Sequence, residues 1–385
     1  MSPLAPLARR LLPAAALAAL LVSPGASATA GAPAPRCERV VLVVWGGGVR
    51  TKELLGRPDL LPTVREMAAA GFSCPGWAVA GTDHDDAAQG ILTGRTVPVV
   101  TPGRARPAWP TVLEYARKGL HLAPRGAWLA SYVDGPGLML AASDHADYGD
   151  AYAPSLAYGE GPFGETLTPL FGFFGRPNPT KPKTWEILAR LRAVSAKEAE
   201  RRLVGALPKA SAEDVRLERA LLEEVDRRAT GYSGPGGLDA RAVRAAITVL
   251  RVFRPTLLVV RLGQADVAHR DLFAYWDVLK RDDAELARLR GEIAGDPALK
   301  DTTALILVPE LGRNAEQNAA GGYDHDDGSP DATTVAVVAE GAGIRRGTSL
   351  RPPLDVRDLC PTIGRLLGFE TPLAEGVARE DLLKK

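Results

Sequence analysis

The chain has 385 residues, of which 46% are hydrophobic and 24% are charged, a composition that is typical of a globular protein and excludes a disordered one. Its 47 lysines and arginines almost balance its 46 aspartates and glutamates, so the formal net charge is only +1. Proteins that bind nucleic acid favour a clustered basic surface, and we therefore expect no nucleic-acid partner.

The N-terminal residues predict a signal peptide over residues 1–28. Arg9 and Arg10 precede an apolar run over residues 11–22, and Ala26-Ser27-Ala28 offers small residues for cleavage. The run is shorter than the about 20 apolar residues that a transmembrane helix needs, and an uncleaved interfacial anchor is the alternative. We expect an exported protein, periplasmic or extracellular, with no transmembrane segment in its mature chain.

Strand and helix signals alternate at the start of the mature chain. Val40-Val41-Leu42-Val43-Val44 is a continuous apolar run, which predicts a strand that is buried on both faces. A helix is predicted over residues 59–71, a strand over 72–79, and the start of a helix over 87–92 after an acidic loop.

The same alternation returns near the C-terminal end. Helices are predicted over residues 241–253, 272–293 and 359–367, and strands over residues 256–260, 304–308 and 333–339. Because strands and helices alternate, we predict an α/β fold: a doubly wound, mostly parallel sheet with helices on both faces.

The middle of the chain lacks this alternation. Residues 100–180 are rich in glycine, proline and aromatic residues, and residues 184–230 predict two charged amphipathic helices. We interpret residues 100–235 as a loop-rich and helical insertion or cap within a single α/β domain over 29–385. The alternative is that these loops only cover the edge of the sheet.

The three cysteines are far apart in the sequence. Cys37 and Cys74 lie near the starts of predicted strands, and an oxidising compartment would permit a bridge between them, which the sequence leaves open. Cys360 is typical of a small buried hydrophobic residue. With no Cys-x-x-Cys pair, the chain does not predict a thiolate zinc site.

Histidines and carboxylates concentrate where predicted strands end. Ligands of open α/β sheets bind beyond the carboxyl ends of the strands. Three of the five histidines, His84, His269 and His325, fall in such positions, and Asp266 lies three residues before His269. Imidazole and carboxylate ligands together predict a divalent metal, first of all zinc, with manganese or calcium as the alternatives.

Each of these segments also has an ordinary interpretation when taken alone. Asp266-x-x-His269 could be a helix cap beside a surface histidine, and Glu310 could simply pair with Arg313. The glycines at 46–48 lack the Gly-Lys-Ser/Thr of a phosphate-binding loop, and the chain has no G-x-S-x-G motif of an α/β-hydrolase.

The order of the motifs resembles the alkaline phosphatase superfamily, which includes sulfatases and nucleotide phosphodiesterases. The resemblance covers about residues 38–97 and 240–380. The matching segments are the Val40–Val44 run before a glycine turn, Pro62–Gly71, Leu92-Thr93-Gly94-Arg95, Asp266-x-x-His269, His325, Gly341-Ala342-Gly343-Ile344 and Val356–Gly368.

The resemblance implies one intact metal site and several departures. Asp266, His269 and His325 match the ligands of that site. The family's aspartate after the first strand, a ligand of a second metal, is Gly47 here, and its hydroxyl nucleophile is His84. The usual Asp-His pair is Glu310-Leu311. These departures also resemble an uncharacterised branch of secreted, sulfatase-like bacterial proteins.

Two hypotheses follow for the function. In the first, the chain is a metal-dependent hydrolase of phosphate or sulfate esters that acts on a small anionic substrate. Glu310 would be a further ligand or a base, and His84 a ligand, a general acid or a covalent acceptor, while Arg50 and Arg95 would face the substrate anion. In the second, the protein is an inactive family member that acts as an exported binding or structural protein. The sequence does not predict the oligomeric state.

Overall fold

The computed structural model describes residues 33–96, 106–131, 140–158, 237–347, 350 and 353–384. The predicted signal peptide at 1–28 and the two helices predicted within 184–230 lie outside the described residues. Within the described part of the chain, no helix has the length and apolarity that crossing a membrane requires.

A seven-stranded sheet forms the centre of the described part. Its strands are β1 (Arg39–Trp45), β2 (Phe72–Ala78), β3 (Ala127–Ser131), β4 (Ser155–Tyr158), β5 (Leu257–Leu262), β6 (Thr303–Pro309) and β7 (Thr334–Gly341). The spatial order is β2-β7-β6-β1-β5-β3-β4. The five strands from β6 to β4 are parallel, whereas β7 pairs antiparallel with both β6 and β2.

Helices cover both faces of this sheet. They are α1 (Thr51–Leu54), α2 (Pro62–Ala70), α3 (His84–Thr93), α4 (Val112–Gly119), α5 (Gly237–Phe253), α6 (Leu272–Gly295), α7 (Pro330–Thr333) and α8 (Leu359–Leu367). A hydrophobic core lies on each face of the sheet, and alternate residues of β1 point into one core or the other. Leu42 belongs to the core that contains residues of α3, α4 and α8, and Val43 belongs to the core that contains residues of α2, α5 and α6. This arrangement confirms the predicted doubly wound, mostly parallel α/β fold.

The predicted strands and helices at both ends of the chain are present, with ends that differ by a few residues. The largest consequence is at α3, which begins at His84 and not at residue 87. Asp83 caps this helix by accepting the N–H of Asp85 at 2.9 Å, and acidic side chains are favourable in the first turn of a helix. The residues that looked like an acidic loop are therefore the start of a helix.

The range assigned to an insertion or cap, residues 100–235, is partly integral to the sheet. It contains α4 and also β3 and β4, and β3 pairs in parallel register with β5. Residues 127–131 and 155–158 are therefore strands of the sheet, and the interpretation of residues 100–235 as an insertion or cap within one domain stays a prediction. These strands are only five and four residues long, so the period-two signal is weak. Residues 159–236 are outside the described part, and a cap there stays a prediction.

The three cysteines are free thiols. The bridge that export would permit between Cys37 and Cys74 is not formed, because β7 and β6 separate the strands beside them. Three strand spacings amount to about 14 Å, whereas bridged Cα atoms lie about 5.5 Å apart. Cys360 is fully buried, as the sequence predicts.

Candidate metal centre

The site lies at the carboxyl end of the three central strands, β6, β1 and β5. A glycine turn follows β1, the 3₁₀ turn Gln264–His269 follows β5 after Gly263, and Glu310 follows β6 directly. Since these strands are parallel neighbours, the residues after them converge at one edge of the sheet. The N-terminus of α3 adds His84 to the same place.

Four side chains form a group that could hold a metal ion. One donor atom each of His84, Asp266, His269 and His325 lies within 4.8 Å of the others. The Nε2 atoms of His84 and His269 lie 2.9 and 3.2 Å from Oδ1 of Asp266. The His325 ring lies 4.5 Å from that of His84 and 4.9 Å from that of His269, measured between centroids. Three imidazoles and one carboxylate are a donor set that suits zinc.

The three imidazoles are oriented by oxygen acceptors at their Nδ1 atoms. Nδ1 of His269 lies 2.6 Å from Oδ1 of Asp324, and Nδ1 of His84 lies 2.7 Å from Oε1 of Glu310. Nδ1 of His325 lies 2.7 Å from the carbonyl oxygen of Thr82. Such contacts leave Nε2 for an ion and raise the basicity of the ring, as in many metal sites. Asp324 was missed by the sequence analysis, although it directly precedes His325.

Glu310 is fully buried and lies behind His84, outside the group of four. Oε1 accepts the N–H of Gly47 at 2.8 Å, and Oε2 lies 3.3 Å from the Arg261 guanidinium. Burial alone would raise the pKa of Glu310, but the charges of Arg261 and His84 and the Gly47 N–H hold it below its ordinary value. The structure thus places Glu310 as the acceptor that orients His84. The alternative that it only pairs with Arg313 is wrong.

Arg313 is fully buried and contacts Asp266 instead. Its guanidinium donates to Oδ1 of Asp266 at 2.7 Å, to the carbonyl oxygen of Tyr323 at 2.7 Å and to that of Gly47. Burial would raise the pKa of Asp266, but the bonds from His84 and Arg313 lower it strongly. Asp266 is therefore a carboxylate, the form that binds metal.

His84 lies between two carboxylates. Burial would lower its pKa, but the hydrogen bonds with Asp266 and Glu310 raise it to about 9. The metal-free site therefore contains an imidazolium between Asp266 and Glu310. Binding of an ion at Nε2 must release this proton, as metal binding to histidine generally does.

The glycine turn after β1 has no room for a side chain. At Gly47, where the resemblance expects a metal-binding aspartate, φ is +82° and a Cβ would lie 2.3 Å from the backbone nitrogen of Asp266. Next to it, a Cβ at Gly46 would lie 2.9 Å from Oε2 of Glu310. The carboxylate beside this turn is instead that of Glu310, the residue after β6, and the buried cation that pairs with Glu310 is Arg261.

The two arginines predicted to face a substrate anion are engaged elsewhere. Arg50 is 2% exposed, forms an ion pair with Glu53 and lies over the ring of Tyr323. Arg95 follows the C-terminal end of α3, whereas His84 begins it, and a helix of ten residues is about 15 Å long. Its guanidinium bonds Glu375 at 2.6 Å. The structure therefore does not bring Arg95 to the histidine cluster, and Arg50 has almost no surface for an anion.

Comparison with known proteins identifies the fold. Neither a family model nor a curated protein sequence matches the chain. Among solved structures, wild-type alkaline phosphatase PafA is similar over 91% of this chain and 100% of its own, with a TM-score of 0.56 and 12% identity. A PafA variant with four substitutions has a TM-score of 0.59 and 11% identity over the same shares of the two chains. A 2-O GAG sulfatase is similar over 91% of this chain and 76% of its own, with a TM-score of 0.53 and 11% identity. The chain therefore has the alkaline phosphatase-like fold that these phosphatase and sulfatase structures share.

Proposed function

We propose that this protein is a hydrolase of phosphate or sulfate esters that uses one divalent metal ion, preferably zinc. The observation that carries the proposal is the group of His84, Asp266, His269 and His325, with donor atoms within 4.8 Å and with an acceptor behind each imidazole. A preoriented group of this kind at the carboxyl end of the sheet is typical of a ligand site. The fold supports the class of reaction, since phosphatase and sulfatase structures share it.

The residues of the metal centre have separate roles in this proposal. Asp266, His269 and His325 hold the ion, and His84, oriented by Glu310, is the fourth donor. A bound divalent ion supplies a Lewis acid, which makes water more acidic and the ester centre more electrophilic. Water is the nucleophile, because His84 stands where the family has its hydroxyl group. The attack forms one P–O or S–O bond and breaks the ester bond, while a proton of the water ends on the departing oxygen; the products are an alcohol and inorganic phosphate or sulfate, or an alcohol and a phosphate monoester when the substrate is a diester. A role of His84 as general acid is the alternative to its role as a ligand, since Nε2 cannot serve both, and a role of Glu310 as base stays a prediction.

The first experiment measures metal in the purified mature protein. We expect about one equivalent of zinc in the wild type after reconstitution, and a much weaker affinity in His325→Ala and Asp266→Ala. A matched control is His121→Asn, because His121 is exposed and has a φ of 53°, which asparagine tolerates. A wild type that binds no zinc, manganese or calcium at micromolar concentration contradicts the proposal.

The second experiment measures hydrolysis of aryl phosphate, phosphodiester and aryl sulfate esters by the metal-loaded protein. Activity that is lost in His269→Ala and retained in His121→Asn supports the hydrolase. Stoichiometric metal with no hydrolysis of any of the three esters favours the second hypothesis, an exported binding or structural protein. The second hypothesis is supported by one observation: position 84 is a histidine and has no hydroxyl group that could act as the nucleophile.

We also propose that the chain is exported and cleaved after Ala28. The basic residues, apolar run and small residues of the segment 1–28 support this. The N-terminal sequence of the protein recovered from a secreting host should begin at Thr29. Recovery of the intact N-terminus in the cytoplasmic fraction would contradict it.

A further inference from the structure

Behind the metal centre lies a pair of buried carboxyl groups that none of the ligands contacts. Asp239 is in the first turn of α5 and Asp282 is in α6, and both are almost completely buried. Two carboxylates without a metal or a dedicated cation are costly in such a place, unless they share a proton and their oxygens are hydrogen-bonded. The bonds that they form therefore indicate what the pair does.

Asp239 binds the start of the 3₁₀ turn that carries Asp266. Its Oδ1 accepts the N–H of Gly263 at 2.9 Å and its Oδ2 accepts the N–H of Gln264 at 2.8 Å. In return, Oε1 of Gln264 accepts the N–H groups of Leu238 and Asp239 at 2.6 and 3.1 Å. We call these four hydrogen bonds the α5 clamp. They join the first turn of α5 to the residues immediately before the metal ligands.

Asp282 contacts β1. Its Oδ2 accepts the indole N–H of Trp45, the last residue of β1, at 3.0 Å. Its Oδ1 has no N–H or O–H donor among the described residues. Burial, together with the charge of Asp239, raises the pKa of Asp282 well above its ordinary value.

We call the 3₁₀ turn Gln264–His269 the ligand turn. Its far end is held by the N–H of Tyr323, which bonds the carbonyl oxygen of Ala268 at 2.7 Å, whereas at its start the N–H of Asp266 bonds the carbonyl oxygen of Gly263 at a long 3.3 Å. The start of the turn therefore depends on the bonds from Asp239. Without Asp239, the buried N–H of Gly263 would have no acceptor, and the turn would have to move to satisfy it.

We propose that Asp239 is the positioning residue that fixes the ligand turn for metal binding. The inference rests on the proposed function in so far as the turn carries Asp266 and His269. The α5 clamp itself is a property of the metal-free protein, and it can be tested without metal.

The test compares Asp239→Asn, Gln264→Ala and Asp282→Asn in the full mature chain. An asparagine at 239 has only one acceptor oxygen, whereas an asparagine at 282 still accepts the indole N–H of Trp45 and leaves both acceptor oxygens of Asp239 in place. We expect roughly tenfold faster hydrogen exchange over residues 260–268 in Asp239→Asn and a smaller increase in Gln264→Ala. Zinc affinity, measured by competition with a chromophoric chelator, should fall about 10–100-fold in Asp239→Asn and stay near wild type in Asp282→Asn.

Glu114→Gln is the matched control, because Glu114 is another fully buried carboxylate that accepts backbone N–H groups, but on α4. It should reduce stability and leave zinc affinity unchanged. Wild-type exchange and zinc affinity in a folded Asp239→Asn protein would overturn the inference, and so would equal losses in Asp239→Asn and Asp282→Asn. If Asp239→Asn does not fold, Gln264→Ala decides by the same measurements. If the wild type binds no metal, the proposed function fails, whereas the exchange data still decide whether the clamp holds the turn.

Discussion

Replacing Gly47 with alanine should destabilise the fold and weaken metal binding together. Gly47 has a φ of +82°, and a left-handed conformation costs an L-residue about 1–2 kcal/mol. The added Cβ would also lie 2.3 Å from the backbone nitrogen of Asp266 and 2.7 Å from the carbonyl oxygen of Gly263, and such overpacking typically costs about 1–3 kcal/mol. We therefore expect a loss of about 2–5 kcal/mol in the free energy of unfolding.

Gly76 offers an unusually close control. Its φ is also +82°, but a Cβ there would meet nothing within 4 Å. Gly76→Ala should therefore lose only the about 1–2 kcal/mol that the backbone conformation costs, and should leave zinc affinity unchanged. Chemical denaturation of the metal-free proteins and zinc titration of the folded variants measure both quantities.

The difference between the two variants is the quantity that tests the reasoning. Gly47→Ala displaces the turn that carries Asp266, so its zinc affinity should fall about 10–100-fold, as for other changes that disturb ligand orientation. Equal destabilisation of Gly47→Ala and Gly76→Ala, with wild-type zinc affinity in both, would refute the close packing of the glycine turn against the ligand turn.

Four further changes test separate parts of the structure. Gly47→Asp, which introduces the aspartate that the resemblance expects, should not add a second equivalent of metal, and two equivalents by elemental analysis of a folded protein would contradict this. Asp324→Asn should weaken zinc binding about tenfold by competition titration, because the histidine it orients loses a charged acceptor; an unchanged affinity counts against that orientation. Arg261→Gln leaves the buried Glu310 with His84 as its one remaining cationic partner and should reduce the free energy of unfolding by up to about 3 kcal/mol, whereas Arg95→Gln should leave the KM for any ester unchanged.

The elements that the sequence predicted best are those with strong local signals. The apolar run at Val40–Val44 can only be a buried strand, and helices such as Leu359–Leu367 have a clear apolar face and a glycine at the end. The strands β3 and β4 escaped prediction because they are short and follow glycine- and proline-rich segments. Their place in the sheet is decided by pairing with β5, a contact between residues more than a hundred positions apart.

The residues of the metal centre were likewise predicted only in part. His84, Asp266, His269 and His325 were found because residues after parallel strands converge at one edge, a rule that needs no coordinates. The partners of these residues were not found in this way. Arg313 lies three residues after Glu310 in the sequence and was considered as its partner. In the structure Arg313 contacts Asp266, and the arginine that pairs with Glu310 is Arg261.

The amino-acid sequence alone therefore determined the class of fold and brought His84, Asp266, His269 and His325 to one predicted site, but it counted Glu310 as a further ligand, which the structure places behind His84. Only the tertiary structure decided which acceptor orients each histidine, that Arg50 and Arg95 are engaged elsewhere, and that no side chain fits at Gly47. The physical reason is that backbone periodicity is a local property of a segment. The partner of a buried charge depends instead on which strands are neighbours in the sheet. Strand β1 lies between β6 and β5, and each of these two strands is more than 200 residues away from β1 along the chain.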